Sequence, residues 1–248
     1  MEFRFGADVI GVNMADRAAL MAAVAARFAA RQGFALATIN LDHLVKLHRS
    51  QAFRRSYAAQ DLVVADGNPI VWLSRLARRP VSLIPGSDLV LPLARAAAGA
   101  GLGVALIGST ATALAQSAAA LMAAVPGLNV VLQIAPPMGF DPQGDAASRI
   151  LQQIADSGAG LCFIALGAPK QEAFAALGRR LAPAVGFASV GAGLDFLAGS
   201  QTRAPVWVQR LAMEWLWRAL QSPRRLLPRY LACAAILPAQ LWAAWRLR

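Results

Sequence analysis

Several short polar segments of this chain follow apolar runs, and their residue types could move a proton or bind a phosphorylated ligand. The first is Asp66 with Gly67, directly after the apolar run Leu62–Ala65. A carboxylate at the rim of an apolar core can have a raised pKa and accept a proton from a bound hydroxyl. Aspartate also caps helices. A general base and a helix cap before Asn68 are therefore both open interpretations of Asp66. Gly67 and Asn68, in the same corner, are candidate substrate-binding residues.

Two further corners carry groups suited to ligand binding. Asn40 ends the apolar run "FALATI" and could orient a ligand through its amide, or cap the following helix as an Asx turn. In "LIGST", Gly108 and Ser109 resemble the first turn of a nucleotide-binding unit, where backbone N–H groups favour phosphate. A plain tight turn fits the same spacing, and the segment is not a GxGxxG motif.

The segment "LGAPKQE" places Lys170, Gln171 and Glu172 directly after a proline that suits a helix start. Three consecutive polar residues invite ligand contacts, although a solvated first helical turn is the alternative. In "VGAGLDF", two glycines precede Asp195 and could shape another loop around a ligand.

Metal-binding signatures do not occur in the sequence. It contains no CxxC, HExxH or GxSxG pattern and no DxD pair after a strand. His43 and His48 are expected at solvated helix positions, because a five-residue spacing does not share a helix face well. We therefore expect acid–base chemistry with fixed positive charge, and neither a metal nor another cofactor.

The elements that must position these corners alternate between apolar strands and amphipathic helices. Strands are predicted at 34–39, 61–65, 103–108, 128–134, 160–167 and 184–191, and helices at 42–60, 68–79, 109–125, 143–157 and 169–182. Continuous apolar strands are typical of a mainly parallel, Rossmann-like sheet flanked by helices. Ligands bind such sheets outside the carboxyl ends of the strands, where the polar corners fall.

Composition is consistent with a folded chain that has a large core, since 57% of the 248 residues are hydrophobic and 15% are charged. We expect no signal peptide at the N-terminus and two buried free thiols, Cys162 and Cys233, in a reducing compartment. No stretch reaches the roughly 18–20 uninterrupted apolar residues of a membrane span. These features together predict a cytoplasmic protein.

The last fifth of the chain differs in composition. The net charge is +11, and residues 200–248 contribute eight arginines, one acid and five of the six tryptophans. We therefore predict a catalytic domain at 1–199 and a helical basic appendage at 200–248. Two lobes that meet near residue 100 are an alternative organisation of the catalytic domain. Arginine and tryptophan suit a membrane interface. A helical subdomain packed on the core is the alternative, and nucleic-acid binding is disfavoured by the apolar content.

Together these corners resemble the WecG/TagA/CpsF glycosyltransferases, glycosyltransferase family 26, over about residues 8–232. The resemblance is carried by "TINLDH", "VVADGNPIV", "PGSDLV", "VALIGST", "FIALGAPKQE" and "VGAGLDFLAGSQTRAPVWVQRLAMEWLWRALQSPRRLLPRY". It implies an inverting transfer of sugar from a UDP-sugar to a polyprenyl-diphosphate-linked acceptor at the cytoplasmic membrane face, without a metal. Asp66 would be the base, and Thr38, Asn40 and Gln171 would line the sugar-nucleotide pocket.

The resemblance also implies that the appendage docks on the membrane and closes over the site. We expect five of its arginines to stabilise the leaving diphosphate: Arg210, Arg218, Arg224, Arg225 and Arg229. Arg203 is a further candidate for substrate binding. Family members often carry an arginine just before the GxD segment, whereas Leu83 and Ile84 lie there in this chain. The tail arginines would then carry more of that role.

The sequence thus predicts a hexosyltransferase for bacterial exopolysaccharide or cell-surface polysaccharide. The transferred sugar would be a hexose or an N-acetylhexosamine. One alternative is a membrane-associated scaffold that binds nucleotide sugar without catalysis. The other is an oxidoreductase, which the missing GxGxxG and ribose-binding acid disfavour.

Overall fold

The computed structural model describes residues 1–201, 204–205, 208, 214–221 and 223–248, without the side chains of 214, 218, 221 and 225. The strands are β1 (Glu2–Phe5), β2 (Asp8–Gly11), β3 (Phe34–Ile39), β4 (Leu62–Ala65), β5 (Gly103–Gly108), β6 (Val130–Ile134), β7 (Ala159–Ala165) and β8 (Gly186–Ser189). The helices are α1 (Arg17–Ala29), α2 (Leu41–Arg49), α3 (Gln51–Ala58), α4 (Asn68–Leu76), α5 (Gly86–Gly99), α6 (Ala111–Ala124), α7 (Asp145–Asp156), α8 (Lys170–Leu181), α9 (Gly193–Leu197), α10 (Glu214–Gln221) and α11 (Pro223–Trp245).

Six of the strands form one sheet in the order β4-β3-β8-β7-β5-β6, and every pair in it is parallel. The Rossmann-like α/β fold is therefore confirmed, and all six predicted strands belong to this sheet. Strands β1 and β2 pair separately as an antiparallel hairpin. The hairpin was not predicted, and neither were α1 and α5.

The sheet is buried on both faces, as continuous apolar strands require. Successive side chains of β5 show the alternation: Val104 and Leu106 join one hydrophobic core, whereas Ala105 and Ile107 join the core on the opposite face. Helices α1, α5, α6 and α9 cover the first face. Helices α2, α3, α4, α7 and α8 cover the second, which has its own cluster around α2–α4 and the hairpin.

The helix predicted over 42–60 is two helices in the structure. Ser50 separates α2 from α3, and its hydroxyl accepts a hydrogen bond from the backbone N–H of Phe53 at 3.1 Å. A serine cap of this kind satisfies one of the N–H groups that a helix start leaves unpaired. The chain can therefore turn here and continue as α3, which packs against α8 and β2.

The described part of the appendage is helical, and α11 packs against α2, α4 and α10. Helix α11 continues through Pro228 and Pro238, and its segment Leu226–Trp245 is long and apolar enough to cross a membrane, with a mean hydropathy of 1.2. The segment is not an uninterrupted apolar stretch, but the helix as a whole reaches the length and hydropathy of a span because the prolines and Arg229 do not end it. The division of the chain at residue 200 stays a prediction.

Helix α8 lies close to β8 because Gly178 has no side chain. A Cβ at this position would lie 2.6–2.9 Å from three ring atoms of Phe187, which is fully buried. Helix propensity favours alanine over glycine by about 1 kcal/mol, but overpacking a core costs typically about 1–3 kcal/mol. The steric cost is the larger of the two effects, because a closely packed core leaves the Phe187 ring little room to move. Alanine at position 178 should therefore destabilise the protein.

We expect Gly178→Ala to lower the free energy of unfolding by about 1–2 kcal/mol, measured by urea denaturation. Gly99→Ala is the matched control: it lies at the end of α5, and a Cβ there would meet nothing within 4 Å. The control should be neutral or slightly stabilising. A Gly178→Ala protein as stable as the control would contradict this account of the contact between α8 and β8.

Candidate functional site

The parallel sheet brings the polar corners to one edge. Asp66 follows β4 and Asn40 follows β3, while Gly108 ends β5 and Lys170 begins the helix after β7. Since the carboxyl ends of parallel strands fall on the same side of a sheet, these residues lie along one rim. Asp195 lies in α9, just after β8, the strand between β3 and β7. The corners therefore share one rim of the sheet, and their convergence into a single ligand crevice stays a prediction.

Asp66 is half-buried at this rim and is held by the neighbouring strand. Its backbone N–H donates to the carbonyl of Ile39 at 2.8 Å, and the Thr38 hydroxyl donates to Asp66 Oδ2 at 3.4 Å. Gly67, with φ of 115°, occupies the cap position of α4. Asp66 is therefore not the N-cap residue of α4, and the role of its carboxylate stays a prediction.

Asn40 caps the helix that follows it, which is the structural alternative to its predicted role in orienting a ligand. Its Oδ1 accepts a hydrogen bond from the backbone N–H of His43 at 3.1 Å and so caps α2. Its Cβ also lies 3.7 Å from the point where a Cβ on Gly67 would be. Asn40 and the Asp66–Gly67 turn are thus neighbours, and Asn68 is the first residue of α4. Contact of Asn40 or Asn68 with a ligand stays a prediction.

A buried aromatic pair lies beneath Thr38. The Tyr57 hydroxyl donates to the carbonyl of Thr38 at 2.7 Å and lies 2.8 Å from His43 Nδ1. Burial is the main cause that lowers the pKa of His43 to about 3 and raises that of Tyr57 well above its ordinary value, with Glu172 and Asp66 adding to the rise for Tyr57. His43 is only 5% exposed, so its expected solvated position is wrong, whereas His48 is exposed.

The corner after β7 contains a second buried pair. Gln171 Nε2 donates to Glu172 Oε1 at 2.9 Å, and both side chains are buried. Desolvation raises the pKa of Glu172 to about 7, while the hydrogen bond from Gln171 opposes that rise. Lys170 lies apart from this pair, because its ammonium donates to the carbonyl of Phe140 at 2.9 Å. A solvated first turn is therefore wrong for Gln171 and Glu172.

The corner after β5 is tightly built. A Cβ on Gly108 would lie 2.4 Å from the carbonyl oxygen of Ala165, so close packing of β5 on β7 requires glycine there. Ser109 has a positive φ of 50°, and its hydroxyl donates to Asp195 Oδ1. Gln201 Nε2 donates to the other carboxylate oxygen of Asp195 at 3.0 Å. These contacts explain why Gly108, Ser109 and Asp195 occupy their positions without a ligand. The predicted roles of these three residues in ligand binding stay predictions.

The C-terminal appendage is tied to the rim by an ion-pair cluster. Asp42, which is buried at the start of α2, lies 3.0 Å from Arg229 Nε and 2.7 Å from Lys46 Nζ. Lys46 also donates to the carbonyl of Ala168, directly before the PKQE corner. Arg229 thus has a structural partner, whereas Arg224 is exposed.

Four of the predicted arginines cannot be placed in the site. Arg203 and Arg210, and the side chains of Arg218 and Arg225, lie outside the described residues.

The structure does define the position at which family members often carry an arginine and this chain has Leu83 and Ile84. Leu83 bridges to Ala65, and the backbone N–H of Ile84 donates to the Ala65 carbonyl at 2.8 Å, so this segment runs beside Asp66.

Sequence reasoning missed Asp42, Tyr57 and Gln60, whose side chains face the interior around the rim. Gln60 Nε2 donates to the carbonyls of Ser56 at 2.8 Å and Glu172 at 3.1 Å and so joins α3 to α8. The available signal was the amphipathic pattern of α2 and α3, which places these residues on the inward face.

The two thiols, Cys162 and Cys233, are buried and free, as predicted.

The described residues contain no group of three His, Cys, Asp or Glu side chains that could hold a metal ion. The fold and the rim define a class of protein, a Rossmann-like α/β enzyme scaffold with its candidate site at the carboxyl edge of the sheet. Residues 7–248 match the model of the glycosyl transferase WecG/TagA/CpsF family. Because the match covers nearly the whole chain, the protein belongs to this family. It is thus a glycosyltransferase, with a nucleotide-sugar donor and a sugar acceptor implied.

Burial of Glu172 gives a stability prediction that does not depend on the reaction. Its folded pKa of about 7 exceeds the ordinary carboxyl value of 4.5. The preference of the folded state for the neutral carboxyl group therefore contributes fully to the free energy of unfolding below about pH 4.5, and this contribution is lost as pH rises through 7. We expect the wild type to lose about 2–3 kcal/mol more between pH 5 and 8 than Glu172→Gln does, measured by urea denaturation.

His43 acts in the opposite direction, because a lowered folded pKa removes stability as pH falls from 6.5 towards 3. That dependence is common to the wild type and Glu172→Gln and cancels in their difference. Parallel stability curves for the two proteins between pH 5 and 8 would show that Glu172 does not titrate in this window.

Proposed function

We propose that this protein is an inverting hexosyltransferase with Asp66 as its general base. It would transfer a hexose or N-acetylhexosamine from a UDP-sugar to a polyprenyl-diphosphate-linked saccharide in bacterial exopolysaccharide or cell-surface polysaccharide synthesis. The observation that carries the proposal is the position of Asp66. Asp66 lies at the rim of the sheet, where its backbone N–H is bonded to the Ile39 carbonyl and its carboxylate accepts from the Thr38 hydroxyl.

The proposed step is a single displacement. Asp66 takes the proton from an acceptor-sugar hydroxyl while that oxygen forms a bond to the anomeric carbon of the donor. The bond between the anomeric carbon and the diphosphate oxygen breaks, and UDP leaves from the opposite face, so the configuration inverts. The products are the extended acceptor, UDP and a protonated Asp66, which returns its proton to water.

The leaving diphosphate gains negative charge, and the proposed mechanism neutralises it without a metal. Backbone N–H groups at helix starts along the rim are suited to this, since helix N-termini favour anions. Of the predicted tail arginines whose side chains the structure describes, Arg224 is exposed, whereas Arg229 pairs with Asp42. Metal independence and the roles of the tail arginines are parts of the proposal.

The acceptor and the location are proposed from the surface of α11. Large apolar side chains on this helix are exposed, namely Leu227, Leu231, Leu241, Trp242 and Trp245. Such a face suits the boundary between headgroups and acyl chains, where a lipid-linked acceptor would be presented. We place the protein at the cytoplasmic face of the bacterial inner membrane.

Polar contacts of α11 favour a peripheral helix over a spanning one. Arg229 pairs with Asp42, Gln240 Nε2 lies 3.1 Å from His48 Nε2, and Arg248 donates to the carbonyl of Leu76 at 2.9 Å. Insertion across a bilayer would break all three contacts and would leave their partners without compensation. We therefore propose that α11 lies on the membrane surface and that its face with the exposed apolar side chains contacts the lipid.

Replacing the proposed base tests the mechanism. Asp66→Asn keeps the size of the side chain but cannot accept the proton, so kcat should fall by about 10²–10⁴-fold. The measurement is UDP release and product formation with a panel of UDP-sugars and a synthetic lipid-diphosphate-sugar acceptor. Asp156→Asn, at the far end of α7, is the control and should keep wild-type turnover. Near-wild-type turnover of Asp66→Asn would exclude this residue as the base.

Charged substitutions on the outer face of α11 test the location. Leu231 and Trp242 are 63% and 61% exposed, so Leu231→Glu with Trp242→Glu should not disturb packing. We expect at least about a tenfold loss of partition onto vesicles that contain anionic phospholipid. Leu181→Glu is the matched control, since Leu181 is exposed at the end of α8, away from the appendage. Equal partition of both variants would contradict the interfacial role of α11.

A further inference from the structure

Gln171 and Glu172 are consecutive helical residues, yet both side chains are buried. Neighbours in a helix normally face different directions, so one of two consecutive polar residues usually reaches solvent. Here Gln171 is 3% exposed and Glu172 is fully buried, because α8 is enclosed by the sheet, by α7 and by α3. Gln60, two residues after the end of α3, donates to the Glu172 carbonyl. The backbone of this turn is therefore tied to the segment that follows α3.

The hydrogen bond between the two side chains orients the amide of Gln171. Its NH₂ group donates to Glu172 Oε1 at 2.9 Å, which is the arrangement that an ionised carboxylate requires because it can only accept. The amide oxygen, Gln171 Oε1, then faces away from Glu172. Gln171 Oε1 and Glu172 Oε2 are both buried, and neither has a hydrogen-bond partner among the described residues.

A buried acceptor without a partner is costly unless a ligand completes it. Gln171 lies in the first turn after β7, at the rim where the fold places its ligand. We propose that Glu172 is a positioning residue. It holds the Gln171 amide so that Oε1 offers an acceptor to a neutral hydrogen-bond donor of the nucleotide-sugar ligand, either a sugar hydroxyl or the N–H of the base. This inference rests on the proposed donor for the identity of the ligand.

The orientation of the amide persists in both protonation states of Glu172. A proton on the carboxyl group would take Oε2, since Oε1 already accepts from Gln171. The charged and titratable groups that act on this carboxyl are Lys46 and Asp42 from α2 and Tyr57 from α3. Ionisation strengthens the bond from the amide, because charge-assisted hydrogen bonds are stronger than neutral ones.

A double-mutant cycle separates positioning from a general packing role. Glu172→Leu removes the acceptor at similar volume and lets the amide turn, so the Kd for a UDP-sugar should rise roughly fivefold to tenfold. In the Gln171→Ala background the same change should alter Kd by less than about twofold. Calorimetry with UDP and with UDP-glucose tells whether the donor group belongs to the nucleotide or to the sugar. An equal rise in both backgrounds, or no rise in either, would overturn the inference.

A spectroscopic measurement tests the pairing without any ligand. In protein with ¹⁵N-labelled glutamine, the side-chain NH₂ signal of Gln171 should shift with pH near 7 in the wild type and not in Glu172→Gln. A wild-type signal without this shift would refute the pairing, even if Glu172→Leu did not fold. If the wild type bound no UDP-sugar, the proposed donor would fail, while the NMR titration would still decide the role of Glu172.

Discussion

The parallel alignment of six buried strands is the constraint on which the rest of this molecule depends. Because every strand of the sheet runs the same way, the turns that follow them fall on one rim. Both faces of the sheet are already occupied by helices, so a ligand can reach the chain only at an end of the strands. The parallel sheet alone thereby places polar side chains that are far apart in sequence along the same edge.

Beneath this rim the protein buries more polar groups than packing alone requires. Tyr57, His43, Gln171 and Glu172 are each nine-tenths or more buried, and each makes at least one hydrogen bond inside the protein. Burying such groups is unfavourable unless they are paired, and when paired they define one arrangement in place of many. The cluster therefore gives the carboxylate of Asp66 a fixed support, transmitted through Thr38. Precise support of this kind is what a reacting group needs.

The strands, their parallel order and the rim were predictable because they follow from apolar runs and a general rule for α/β sheets. The choice between base and cap for Asp66 was not, since both roles use the same residue type at the same spacing. Only the backbone of Gly67, with its positive φ, shows that the cap position is one residue later. The burial of His43 and Glu172 also escaped prediction, because it arises from the packing of α2, α3 and α8 on one another. The split at Ser50 depends on one cap in an otherwise continuous helical pattern.

Helix α11 is the final helix of the chain, and it covers α2 and α4, the two helices that begin at Asn40 and Asn68. Ala244, four residues from the C-terminus, is buried in the same cluster as the N-terminal hairpin. During synthesis the first strands can pair long before this cover exists, since domains fold progressively as the chain emerges. The apolar surface of α2 and α4 therefore stays uncovered until the segment that forms α11 has left the ribosome. A nascent chain of this protein exposes an apolar surface for most of its synthesis, and the packing of α11 covers it.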